Sequence, residues 1–233
     1  MEKAYRNVSL FFAAILLLVF AGFYKTYFGL FPSFAHVTSI QHIHGSLFLL
    51  WFIMLVVQPL LIRKRMYAWH RLIGKASYFL VPLIVVSIYF IARELYQAAP
   101  PAMTEQDRIA NLFTPFYQIV DFVSLYALAI YYRKKISYHM RYMIATSLAI
   151  YGAATRRFFI HLVGLSSQQA ALYTFLLTGM ILLGLIAYDA RHGKSFRPYV
   201  VALAIVTLSA LGFYFFRYGQ LWQGFGARIA HLF

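Results

Sequence analysis

From His42 to Lys75 the chain reads HIHGSLFLLWFIMLVVQPLLIRKRMYAWHRLIGK, an apolar run with histidines at one end and a basic cluster at the other. The run matches the ~20 residues that a helix needs to cross a bilayer. A segment of that length and polarity folds as a helix in lipid, because only a helix satisfies its own backbone there. Such runs recur at about residues 8–30, 43–63, 70–92, 110–132, 139–163, 170–188 and 198–217. The expected fold is therefore an all-α bundle of about seven transmembrane helices, with the first run read as a span and not as a cleaved signal.

Composition agrees: 62% of residues are hydrophobic and 12% charged, against roughly 45–50% apolar in a soluble domain. The net charge of +15 falls in short loops between apolar runs, which points to membrane orientation and away from nucleic acid. Placing the N-terminus in the cytoplasm puts 14 of the 21 Lys and Arg on that side, in the groups Lys3–Arg6, Arg63–Lys75, Arg133–Arg141 and Arg191–Arg197. The positive-inside rule then gives a cytoplasmic N-terminus and a periplasmic C-terminus. The 93–109 connection, with Pro100-Pro101, is the one loop large enough to form a cap, and 218–233 reads as an amphipathic interfacial tail after a transmembrane domain of 1–217. With no cysteine, any metal must be held by imidazole, carboxylate or thioether.

The motifs YKTYF (24–28), HIHG (42–45), Trp51, Gln58, WHRLIG (69–74) and YHMRYMIATSLAI (138–150) together resemble a family of bacterial multi-pass membrane proteins of unknown function. It is similar to the DUF2306-type predicted membrane proteins, whose pattern has a first His, an HRxLG start to the next helix and a later HxRxM helix. The likeness covers roughly residues 20–165. It implies a bacterial inner-membrane protein and no particular activity.

Chemistry has to come from the polar residues inside these runs. His44, Trp51, Gln58 and Arg65 repeat every seven residues, which predicts one stripe facing the bundle interior. On a continuous fifth helix His139, Thr146, Arg157 and His161 share a face, with about 33 Å of rise between the two histidines. Depth then pairs His44 with His161 at the outer end and His70 with His139 at the inner end. Facing imidazoles of this kind close on haem iron from both sides.

This predicts a His-ligated redox role with b-type haem, exchanging electrons with quinone or a membrane redox partner. A second reading gathers His36, His42, His44 and His161 around one outer zinc or copper ion, with Asp121 as the base. A third is a non-catalytic module that binds lipid or assists assembly, its histidines meeting headgroups. Asp121 and Arg157 or Arg156 are expected to form an ion pair between the fourth and fifth helices, with anion binding as the alternative role of the two arginines. Lys25 is expected to snorkel, and Arg71 and Arg141 to hold lipid phosphate.

The orientation is testable by fusion. A reporter after Phe233 should read out as periplasmic and one within residues 133–137 as cytoplasmic; the reverse pattern would invert every assignment of side.

Overall fold

α2 (Ser39–Arg63) starts ahead of its apolar run because Thr38 and Gln41 form a capping box that satisfies two backbone N–H groups otherwise left without a partner. It ends where Arg65 takes a left-handed backbone, φ 60°, so only His44, Trp51 and Gln58 of the predicted stripe belong to the helix. The computed structural model describes residues 5–233; Lys3 lies outside them. All regular structure among these residues is helical.

The other principal helices are α1 (Val8–Phe23), α3 (Tyr67–Gln97), α4 (Glu105–Asn111), α5 (Phe113–Tyr131), α6 (Ile136–Ile150), α7 (Gly152–Phe158), α8 (Ser167–Arg191), α9 (Arg197–Leu211) and α10 (Gln220–Ala230). Five spans, Ser39–Arg63, Tyr67–Gln97, Glu105–Tyr131, Ser167–Arg191 and Arg197–Phe216, are long and apolar enough to cross a membrane. They leave Leu50, Phe79, Leu83, Met180, Leu183, Leu208 and Phe215 exposed. Large apolar side chains exposed along several long helices are what a protein surrounded by lipid presents. This is a multi-pass membrane protein.

α6 is the hub of the bundle. Arg141, Tyr142 and all residues from Ile144 to Ile150 are buried, and α1, α2, α5 and α9 all pack on it. A helix buried on all sides has no water for its polar groups. Thr146 and Ser147 accordingly donate back to Met143 O and Ile144 O, each at 2.7 Å.

Arg141 cannot be satisfied in that way. Its guanidinium donates to both oxygens of Asp189 on α8, at 2.6 and 2.9 Å, and to Ser137 O at 2.9 Å. Both side chains are 0% exposed. The Tyr5 hydroxyl donates to the same carboxylate at 2.7 Å; burial raises the pKa of this phenol, which keeps it a donor. Arg141 is thus an internal tie between α6, α8 and the N-terminal segment, which replaces the expected contact with lipid phosphate.

The fifth apolar run does not form one straight helix. Its α-helix stops at Ile150, restarts at Gly152 and widens into a π turn over Phe159–Val163. Each change of winding rotates the residues beyond it, so His139 and His161 are not in the register that a continuous helix would give. α1 comes close here: a Cβ on Gly22 would lie 2.1 Å from Ala154 O, an approach only glycine permits. The first run also shortens, ending as an α-helix at Phe23.

The tail after Arg217 forms α10, which docks on α4. Trp222 is buried against Phe113 and Phe116 and donates to Ile109 O at 3.0 Å. Together with Ala92, Ile109 and Leu112 it builds a small second core.

Candidate functional site

The bundle has a His44 end, where α2 and α8 begin, and a His70 end, where α3 and α6 begin. At the His44 end the histidines face different neighbours. His42 and His44 both lie within α2, and two residues of helix separate their directions by about 200°. His42 Nδ1 is 2.7 Å from the Tyr27 hydroxyl, and its ring packs edge-on against Phe34. His44 Nδ1 is 3.0 Å from Ser87 Oγ on α3. His36 is exposed on the preceding loop. His161 sits on the π turn beyond α7, where its carbonyl accepts from the exposed Lys25 Nζ at 2.7 Å.

His44 faces Ser87 of α3, and the π turn that carries His161 packs on α1 and α8. Among the described residues no three His, Asp or Glu side chains stand together as a metal site. The grouping of His36, His42, His44 and His161 around one ion is not assembled here.

The tautomers follow from the partners. The Ser87 hydroxyl donates to Ile84 O at 2.7 Å, which leaves its oxygen to accept from His44 Nδ1–H. His139 Nδ1 lies 2.8 Å from Ala129 O, and a carbonyl can only accept. In both imidazoles Nδ1 carries the proton and the Nε2 lone pair is available, the state in which a histidine binds a metal.

The His70 end brings its two histidines near one another. Ser77 on α3 and Tyr126 on α5 share a hydrogen bond of 2.7 Å. His70 lies about 10 Å of helix rise to one side of it, and Ala129, the acceptor of His139, about 4.5 Å to the same side. His70 and His139 therefore share one end of the bundle, with α5 packed against both α3 and α6. Gln58, on the α2 stripe, donates to His70 O at 3.3 Å. His70 Nδ1, Gln58 Oε1 and Trp51 Nε1 are all buried with no protein partner, although Trp51 is wedged edge-on between Phe122 and Tyr126. Buried polar atoms are normally satisfied, so these three orphans, two on the α2 stripe and one on α3, mark a place able to receive something polar.

Asp121 does not pair with an arginine. Its carboxylate accepts from Ser209 Oγ on α9 at 2.7 Å, and it lines an α5/α9 crevice of about 240 Å³ with Tyr117, Val120 and Leu208. Arg157 turns the other way, stacking at 4.6 Å on Phe23 of α1 and donating to Ala153 O at 3.3 Å. Arg156 donates to Ser167 Oγ. The expected ion pair fails because the break at Tyr151 turns α7 toward α1 and α8, away from α5. Among the described residues the carboxylate–guanidinium pair is Arg141–Asp189.

Sequence reasoning passed over Asp189, Ser87 and Arg217, which belong to no motif. The signal for Asp189 was available: it is an acid at the end of an apolar run, at the same depth as Arg141. Compared with family models, curated proteins and solved structures, the chain matches none.

Unfolding in mild detergent tests the new pairing. A double-mutant cycle of Asp121→Asn with Ser209→Ala should show a coupling of about 0.5–1.5 kcal/mol, and one of Asp121→Asn with Arg157→Met less than about 0.5 kcal/mol. A larger Asp121–Arg157 coupling would restore the ion pair.

Proposed function

We propose that this is a bacterial inner-membrane protein, N-terminus cytoplasmic and C-terminus periplasmic, that holds b-type haem between His70 and His139 and passes electrons between quinone, or a membrane redox partner, and an acceptor. The observation that carries the reading is the orphaned His70 Nδ1 beside His139, whose Nδ1 is tied to Ala129 O and whose Nε2 is free. α6–α7 with its π turn supplies the fifth of seven crossings, and α1 the first.

Haem, when bound, supplies the one-electron chemistry. The chain's own residues do the positioning. Ala129 O fixes the His139 ring, as a backbone acceptor behind a ligand normally does. Gln58 bonds the backbone at His70 and offers Oε1 toward the same region. Arg71, next to His70 and exposed, is placed to meet a carboxylate at the membrane surface. His44 also keeps a free Nε2, but its buried hydrogen-bond partner is Ser87, so the reading places its centre at the His70 end.

Protein purified from cells well supplied with haem should be red and give a bis-imidazole reduced-minus-oxidised spectrum. His70→Ala and His139→Ala should each abolish it, with His44→Ala and His161→Ala leaving it intact. A colourless protein would reject the haem reading. Stoichiometric zinc or copper lost on changing His42 or His44 would move the centre to the other end.

A further inference from the structure

At the His44 end, remote from His70, a cavity of about 480 Å³ opens between α4, the end of α7, the start of α8 and the π turn after α9. Two guanidiniums line it, Arg156 and Arg217. Neither has a carboxylate within 4.0 Å among the described residues, where the guanidinium–carboxylate pair is Arg141–Asp189. The Nε of each is buried without a partner.

Their surroundings fix them without consuming their donors. Arg217 lies over Phe213 at 4.2 Å and over Tyr218 at 4.9 Å; stacking uses the face of the guanidinium and leaves its in-plane N–H edge free. Arg156 is anchored through one nitrogen to Ser167. Ser167 and Gln168 on the cavity wall are the first residues of the 25-residue α8, whose N-terminal end adds partial positive charge. The one acid on the wall, Asp107, is held by Thr104 Oγ1 at 2.7 Å and by the Tyr218 hydroxyl at 3.1 Å, and not by an arginine.

Two like charges share this half-buried space with one acid, Asp107, on the wall and no carboxylate in direct contact, an excess of positive charge that an entering anion relieves. Paired in-plane N–H edges suit a tetrahedral oxyanion, which can accept bidentate bonds from both arginines. We propose that this cavity is a binding site for a phosphate group, gripped by Arg156 and Arg217 against the N-terminus of α8, with the group carried by a lipid headgroup or by a small soluble phosphate. Asp107 limits the affinity and selects against excess negative charge. The site is independent of any cofactor at the His70 end.

The probes are inorganic phosphate and glycerol 3-phosphate, titrated at constant ionic strength against protein in neutral detergent, and nanodiscs of phosphatidylcholine with or without phosphatidic acid. Saturable binding of the soluble phosphates assigns a soluble ligand. Retention of phosphatidic acid over phosphatidylcholine by native mass spectrometry, without response to soluble phosphate, assigns a lipid headgroup. In either case Arg156→Gln with Arg217→Gln should weaken binding by at least about tenfold, and Lys134→Gln with Lys135→Gln should not. Asp107→Asn should tighten it by roughly threefold or more, a gain that misfolding cannot imitate and that decides the matter if the arginine variant does not fold. No binding of any probe, equal loss in the lysine variant, or an unchanged affinity in Asp107→Asn would overturn the proposal.

Discussion

The bundle depends on a pair of charges that no solvent reaches. Arg141 starts the hub helix α6 and Asp189 ends α8, and both are fully buried. An ion in an apolar interior without a counter-ion is so unfavourable that either residue alone would force a different packing. Together, with Tyr5 and Ser137 O saturating the remaining sites, they fix how far α6 extends at the His70 end. They also set the side on which α8 passes and where the N-terminal segment lies. Because α1, α2, α5 and α9 pack on α6, the depth of Arg141 propagates to every helix that carries a candidate functional group. A buried ion pair adds little net stability compared with an apolar substitute. What it contributes here is a single register.

Thr146 and Ser147 of the hub, and Thr155 of α7, are satisfied locally against the backbone of the preceding turn. The contrast gives the unsatisfied groups their meaning. Among them are Trp51 and Gln58 of α2 with His70 of α3, and the arginines of the α4/α7/α8 cavity. The first lies at the end of the bundle that holds His70 and His139. The second is an open cleft with surplus positive charge. In each of the two a ligand would complete hydrogen bonding that the protein leaves open.

Much of the fold was legible in the sequence because lipid imposes simple rules on length and polarity. The apolar runs fell on helices, and the interior placement of Trp51 and Gln58 followed from their seven-residue spacing. Helix ends were less visible, since Thr38–Gln41 and Ser166–Gln169 form capping boxes that extend α2 and α8 beyond their apolar runs. The larger failures came from assuming a straight fifth helix. Nothing in its hydropathy announces the break at Tyr151 or the π turn at Phe159–Val163, yet these two features turn Arg157 toward Phe23 and take His161 out of the register of a continuous helix. Depth alone pairs charges and histidines in many ways, and azimuth, which depends on packing, selects among them. That is why Asp121 and Arg157 looked like partners, whereas Arg141 and Asp189, 48 residues apart, did not.

The organising role of the Arg141–Asp189 pair is tested most directly by a double-mutant cycle on stability in mild detergent. Arg141→Met and Asp189→Leu should each destabilise the protein by about 3–5 kcal/mol, because each strands the other's charge, and the double variant should recover a large part of that loss. Additive effects, or single variants within about 0.5 kcal/mol of the parent, would mean that the packing of α6 and α8 is set by something else.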